Sequence, residues 1–219
     1  MRHATEYQTV VWDFNGTLLD DLGIGIASIN ALLARRGMPL VESHDAYHRI
    51  FCFPIREYYR RLGFDFSREP YEELAVEWVN EYRSREGQAP LRAGAESLLR
   101  RFASLGIRQI VLSATEQGML LEQLQALGVA HYFDRIIGRD DIYASDKVAL
   151  ARSSASLFGD GRILVIGDTV HDLETAAALG ADAVLLLGGH TSRDALEALG
   201  CAFCRDLETL EGRLFDAGD

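Results

Sequence analysis

The stretch that most constrains this chain is residues 8–21, QTVVWDFNGTLLDD, in which an unbroken apolar run (Val10, Val11, Trp12) ends in Asp13 and opens into Asn15, Gly16 and Thr17. An apolar run without polar alternation reads as a strand buried on both faces, the kind a parallel sheet uses. A carboxylate at the carboxyl end of such a strand stands at the mouth of an open α/β sheet, where these folds bind ligands. Gly16 lets the backbone approach a bound anion closely, and Thr17 adds a hydroxyl donor, so both are candidate substrate-binding positions. Taken alone, Asn15-Gly16 is equally a common turn signal.

Three later stretches follow in order: IRQIVLSAT (107–115), a second apolar strand ending in Ser113; SDKVAL, around Lys147; and RILVIGDTVHDLETAAALGA (162–181), a third strand running into Asp168 and Asp172. Between them the pattern alternates. Helices are expected at 94–105, 116–127, 147–158 and 171–179, strands at 108–113, 134–138, 162–167 and 182–187, and a helix-strand-helix tail closes the chain. That order is the signature of an α/β fold: a Rossmann-like parallel sheet in a three-layer α/β/α core. Residues 21–86 break the alternation, with helical spacing at Leu22, Ile26, Ile29, Leu32 and Leu33, then at 43–51, 54–63 and 71–85. They read as a small helical unit inserted between the first two strands. The expected domains are a core of 1–19 and 90–219 and a helical cap of 20–89, with Gly or Pro at or beside both connections as hinge points.

The formal net charge of −11 argues against a nucleic-acid partner, which requires a basic face. No apolar stretch approaches the ~20 residues that span a bilayer, and Met1–Glu6 leads to the first strand without a signal-peptide core, so a cytoplasmic protein without a membrane partner is expected. Of the 22 basic residues only Lys147 is lysine, which suits a site wanting a compact point charge rather than a planar fork. Cys52, Cys201 and Cys204 make no disulfide framework and are expected to be small buried thiols. The histidines are scattered without the spacing of a zinc site, and His171 is expected at the surface.

In this order, Asp13-Phe-Asn15-Gly16-Thr17, Ser113-Ala114, Lys147 and Gly167-Asp168-Thr-Val-His-Asp172 resemble the four motifs of the haloacid dehalogenase superfamily, in particular its phosphoglycolate phosphatase and β-phosphoglucomutase-like members with a helical cap. The resemblance spans nearly the whole chain. It implies that Asp13 is a nucleophile forming an aspartyl phosphate, and that Mg²⁺ is held by the Asp13 side chain, the backbone carbonyl of Asn15 and the Asp168 carboxylate. It further implies that Asp172 bonds the metal's waters or Lys147, that Ser113 and the Ala114 N–H hold phosphoryl oxygens, and that Lys147 balances the accumulating negative charge. Helix capping explains one of Asp168 and Asp172 but leaves the other without a role. FCFPIREYY (51–59) resembles the cap loop that contacts substrate beyond its phosphate, with Arg56 at the anion-binding position. Beside Glu57, Arg60 and Arg61 the same arginine fits a solvated helix face equally well.

One departure matters. Where the phosphatase branch carries a second Asp that protonates the leaving group and later activates water, this chain has Asn15, which can do neither. The expected activity is a Mg²⁺-dependent phosphatase of a small phosphorylated metabolite, slowed by Asn15 and favouring good leaving groups. Asn15→Asp is then expected to raise turnover of alkyl phosphates most. The alternatives are a catalytically weak relative that binds metal and phosphate ligands and acts by association, and, third, a metal-free dehalogenase. A monomer or homodimer is expected.

Overall fold

The structure, a computed structural model, describes residues 2–141 and 147–216. Ser145 and Asp146, beside Lys147 in the third stretch, lie outside the described residues.

Its centre is β1 (Thr9–Trp12), buried along its whole length and paired in parallel with β2 (Arg108–Glu116) on one side and β4 (Ile163–Gly167) on the other. With β3 (Arg135–Arg139), β5 (Asp182–Leu186) and β6 (Phe203–Cys204), the six-stranded sheet has the order β3-β2-β1-β4-β5-β6, every pair parallel. The chain builds outward from β1 to β3 and then returns to the other side with β4. The strand order therefore reverses between β1 and β4, which is where open α/β sheets bind ligands. The register aligns Trp12 with Val111 and Ile166, so Asp13 and Asp168 leave the sheet side by side.

Alternation along β1 decides what each face packs against. Val10 and Trp12 join a core with Leu98, Leu99 and Phe102 of α5 (Ala95–Ser104), Leu120 and Leu124 of α6 (Gln117–Ala126) and Leu210 and Leu214 of α10 (Leu207–Phe215). Val11 faces the opposite layer, with Ile110, Leu112, Val165, Ala151 of α7 (Lys147–Ser153) and Ala176 of α8 (Val170–Leu179). A short α9 (Arg193–Ala198) covers the far end through Leu196. The sheet is thus buried on both sides, as unbroken apolar strands require.

The helical insertion comprises α1 (Leu22–Arg35), α2 (His44–Ile50), α3 (Ile55–Arg61) and α4 (Tyr71–Arg83). It has a core of its own, in which Ile26, Ile29 and Leu33 of α1 meet Tyr58, Tyr59 and Leu74. Arg35 and Arg36 at the end of α1 pair with Glu77 of α4, and Arg35 also with Glu81. Two expected boundaries move. Strand β2 runs three residues past Ser113, to Glu116, with a register shift against β3, because Ala114 and Thr115 stay extended and the helix waits for the Glu116 carboxylate to cap it through the N–H groups of Gly118 and Met119. The helix expected over 147–158 ends at Ser153 and is followed by a single 3₁₀ turn, Ala155–Leu157.

Beneath the site, the Trp12 indole N–H donates to the buried Gln109 side chain at 3.1 Å, and the Gln109 amide donates to the Leu99 carbonyl at 2.9 Å. Gln109→Leu removes the acceptor and leaves the buried Trp12 Nε1 unsatisfied, so unfolding free energy should fall by about 1–3 kcal/mol. A urea midpoint unchanged from wild type would contradict this packing.

Candidate active site

Asp13 is fixed where β1 ends: its backbone N–H donates to the Ile166 carbonyl of β4 at 2.9 Å. Asp168 follows β4 and Asp172 lies in the first turn of α8. One carboxylate oxygen from each of the three lies within 4.8 Å of the others. Lys147, the first residue of α7, is buried and points its ammonium between two of them, bonding Asp13 Oδ1 closely and Asp172 Oδ1 at 2.6 Å. Asp172 divides its oxygens between two tasks. Oδ1 takes Lys147, while Oδ2 caps α8, accepting from the N–H groups of Asp168 (3.1 Å) and Thr169 (3.0 Å) and from the Thr169 hydroxyl (2.9 Å). Capping and charge pairing are therefore both true of one residue. A Cβ at Gly167 would collide with the Asp172 carboxyl, which is why the strand must end in glycine.

Three buried carboxylates share one ammonium, and their protonation reflects it. Burial, reinforced by the charges of Asp172 and Asp168, raises Asp13 to about 8 even against Lys147. Burial also raises Asp168. At Asp172 burial is outweighed by Lys147 and the Thr169 hydrogen bonds, which hold its carboxyl below the ordinary range. An all-oxygen donor set with surplus negative charge fits a hard divalent cation, which Asp13 and Asp168 could hold directly.

Asn15 is anchored on three sides. Its amide NH₂ donates to Asp21 Oδ2 at 2.8 Å and to the Tyr82 hydroxyl at 3.0 Å, and its carbonyl oxygen accepts from the Thr115 hydroxyl at 2.6 Å. Asp21 is buried and also accepts from the Gly16 N–H (2.8 Å) and the Tyr82 hydroxyl (2.9 Å). Although burial opposes it, these bonds and His190 keep Asp21 below the usual carboxylate range. His190 stands 3.8 Å from Asp21 through Nε2, bonds the Tyr47 hydroxyl through Nδ1 at 2.8 Å, and donates its backbone N–H to Asp168 Oδ2 at 2.5 Å. Burial would lower its imidazole, yet Asp21, Asp168 and Asp13 raise it to about 9. Asp21, Tyr82, Thr115 and His190 carried no signal in the sequence, because each meets its partner only through the fold.

Above the carboxylates lies a cavity of about 210 Å³, with Asp13, Lys147 and Asp168 at its base, Ser113 and Ala114 at its side, and aromatic residues of the helical insertion around it. Of the residues expected to touch substrate, Gly16, Thr17 and Arg56 sit elsewhere. Gly16 and Thr17 turn their donors inward, the Gly16 N–H to Asp21 and the Thr17 hydroxyl to Asp168 Oδ1 at 3.2 Å, so they brace the carboxylates instead of lining the cavity. Gly16, at φ +74°, is also required there because a Cβ would press on Asp168 Oδ2 at 2.5 Å. Arg56 is exposed, its guanidinium over the rings of Phe66 (5.1 Å) and Tyr71 (5.7 Å), on the solvated face. Ser113 is buried at the cavity, its Oγ donating to the Thr115 hydroxyl and accepting from the Thr115 N–H, each at 3.1 Å. His171 is half-buried rather than at the surface, its ring 3.8 Å from that of Phe53, because the α2–α3 loop folds over it. Of the three free cysteines only Cys204 is buried; Cys52 and Cys201 are half-exposed.

A strand ending in a buried carboxylate at the switch point, two acids from the neighbouring strand end and a buried lysine define an α/β protein built around an anion-and-cation site. The family model for haloacid dehalogenase-like hydrolases matches residues 10–186, and the chain belongs to that family. It is 30% identical over 195 residues to the tyrosine-protein kinase PtkA of Mycobacterium tuberculosis, an alignment covering 87% of this chain and 65% of that protein. The chain thus spans about two thirds of the length of that relative. It is 25% identical over 206 residues to the phosphoglycolate phosphatase of Caulobacter vibrioides, covering 90% of this chain and 86% of the other. Among solved structures, a haloacid dehalogenase-like family hydrolase, SP0104 of Streptococcus pneumoniae, superposes with a TM-score of 0.80 at 17% identity, over 95% of this chain and 99% of that one.

The hydrogen bonding of Asn15 revises what its replacement should do. A carboxylate at position 15 would face the Asp21 carboxylate across the bond the amide now donates. Asn15→Asp should therefore lower unfolding free energy by about 1–3 kcal/mol in chelator. Adding Asp21→Asn, which exchanges the two groups, should recover about half of that loss or more. Equal stability of Asn15→Asp and wild type would refute the assigned amide orientation.

Proposed function

We propose that the chain is a Mg²⁺-dependent phosphatase of a small phosphorylated metabolite, working through an aspartyl phosphate on Asp13. The observation that carries this reading is the convergence of Asp13 and Asp168 at the cavity base with Lys147 paired to Asp13. Mg²⁺ would be held by Asp13 and Asp168, with the Asn15 backbone carbonyl as the third protein ligand, and would draw the two anions together by withdrawing charge from the phosphoryl oxygens.

The other steps belong to the chain. An Asp13 oxygen forms a bond to phosphorus as the bond from phosphorus to the leaving oxygen breaks; water then attacks the acyl phosphate, releasing phosphate and the free carboxylate. Ser113 and the Ala114 N–H orient the phosphoryl oxygens, and Lys147 offsets the negative charge brought together where the Asp13 carboxylate meets the phosphoryl group. Asn15 contributes position without a proton. The leaving oxygen must therefore depart as an anion or take its proton from water, which favours stable leaving groups. Helices α1–α4 act as the cap that excludes water, reaching the core through Tyr47 to His190, His48 Nε2 to the Gly189 carbonyl (2.9 Å) and the Tyr82 hydroxyl, which accepts from the Asn15 amide (3.0 Å).

A second reading, transfer of the phosphoryl group to an acceptor other than water, is favoured by one observation: with the Asn15 amide committed to Asp21 and Tyr82, no group at this position can activate water. It is in keeping with the similarity to a protein named as a tyrosine kinase. Such an enzyme would hold a long-lived acyl phosphate that an added alcohol or phenol intercepts.

Turnover of p-nitrophenyl phosphate should require Mg²⁺ and disappear with chelator, and Asp13→Asn should lower kcat by about 10³ or more. Mg²⁺ should raise the melting temperature of the wild type and not that of Asp168→Asn. Thermal stabilisation without turnover would favour a binding protein that acts by association. Turnover unaffected by chelator, or retained in Asp13→Asn, would contradict the mechanism. Because a carboxylate at 15 needs its neighbour changed, the Asn15→Asp, Asp21→Asn pair, and not Asn15→Asp alone, should gain on alkyl phosphates relative to p-nitrophenyl phosphate. A larger gain from the single substitution would refute this pairing.

A further inference from the structure

Resting on the phosphatase reading for its chemistry but on the cavity walls for its content, we infer that the site selects phosphomonoesters whose leaving group is an aromatic or apolar body bearing no second negative charge.

The walls point that way. Facing the carboxylate base, the insertion presents Phe51, Phe53, Tyr58, Tyr59, Tyr71 and Trp78. Tyr58, Tyr59 and Tyr71 are buried in the insertion's own core and are explained by it. Phe51, Phe53 and Trp78 are only partly buried, so ring surface remains to be covered at the cavity. Phe51 and Phe53 lie 5.2 Å apart edge to face, the first 5.3 Å from His190 and the second against His171; Trp78 stacks on Tyr82 at 5.0 Å. They form an apolar collar on the same cavity that Asp13, Lys147 and Asp168 line. A cavity of about 210 Å³ is large enough for one ring, since an apolar cavity of about 150 Å³ accepts benzene.

Charge excludes the alternative. The acids at the cavity are Asp13, Asp21, Glu116 and Asp168, against Lys147, which is already paired to Asp13 and Asp172. The imidazole of His190 is turned to Asp21 and Tyr47, and that of His171, also at the cavity, lies against the Phe53 ring with Nε2 4.0 Å from Glu174. Among the described residues no arginine lines the cavity: Arg56 lies outside it, and Arg92 spends its guanidinium on the carbonyls of Gly16 (2.5 Å) and Leu187 (2.6 Å). A substrate carboxylate beyond the phosphate would be desolvated against rings and acids while Lys147 and His190 are already engaged by carboxylates of the chain, whereas an apolar body covers the collar.

The test compares leaving groups of similar basicity, so that wall preference is separated from chemical ease. With Mg²⁺, kcat/KM for benzyl phosphate should exceed that for 2-phosphoglycolate by about tenfold or more, mainly through KM. Phe53→Ala and Trp78→Ala should each shrink that ratio by raising KM for benzyl phosphate. Calorimetry with the non-hydrolysable counterparts, phenethylphosphonate and 3-phosphonopropionate, reads the same preference without turnover, and phenethylphosphonate should bind about tenfold tighter or more. Equal or tighter binding of the carboxylate-bearing phosphonate, or no binding of either, overturns the inference. If no ester turns over while the phosphonate preference persists, the phosphatase reading fails and the selectivity stands.

Discussion

The structure depends on one buried ammonium. Lys147 is the chain's single lysine, and its Nζ bridges Asp13 at the end of β1 and Asp172 at the start of α8. Two carboxylates this close and this buried repel each other and resist ionisation. A cation between them lets both approach, and with Asp168 they form an acidic cluster at the one edge of the sheet where the strand order reverses. A compact point charge suits this position better than a guanidinium fork, whose planar donors would need more room and a bidentate partner. Replacing either partner of such a pair leaves the other charge buried and unmatched, so the arrangement serves specificity of geometry more than stability.

Around this pair the loop after β1 is arranged as a second network, with Asp21 at its centre. Asp21 collects the Gly16 N–H, the Asn15 amide and the Tyr82 hydroxyl, and stands beside His190. The network joins parts far apart in sequence: Tyr82 comes from α4 of the helical insertion, Thr115 from β2 and His190 from the loop after β5. The residue that lacks acid/base capacity, Asn15, is thus held by every neighbour that could orient it. Its chemistry is fixed by hydrogen bonding as much as by the loss of a titratable group. Tyr82 also ties the position of the insertion to the shape of the loop, so opening the cavity would release two of the bonds that hold Asn15 and Asp21.

Much of this was legible in the sequence, and the reasons are specific. Val10–Trp12, Ile110–Leu112 and Leu164–Ile166 are unbroken apolar runs because their strands are buried on both faces, and that pattern survives any detail of packing. Asp13, Asp168, Asp172 and Lys147 were readable because each sits at a strand end or helix start, where local order fixes position. Arg56 was not: α3 spans only Ile55–Arg61, too short for periodicity to say which face looks inward, and the rings of Phe66 and Tyr71 hold the exposed guanidinium outside the cavity. Gly16 and Thr17 lie in the right loop, but their donors turn toward Asp21 and Asp168, a choice made by carboxylates that arrive from elsewhere. The Asn15 contacts to Tyr82 and Thr115 span 67 and 100 residues, so no local pattern could announce them.

The central claim is that Asp13 and Asp168 share one divalent ion beside Lys147. Anomalous diffraction from crystals soaked in Mn²⁺, a surrogate with an electron-dense signal, addresses it directly. The account predicts a single peak about 2.0–2.3 Å from a carboxylate oxygen of each residue. A peak bonded to neither carboxylate, or no peak at a concentration that supports turnover, would contradict it.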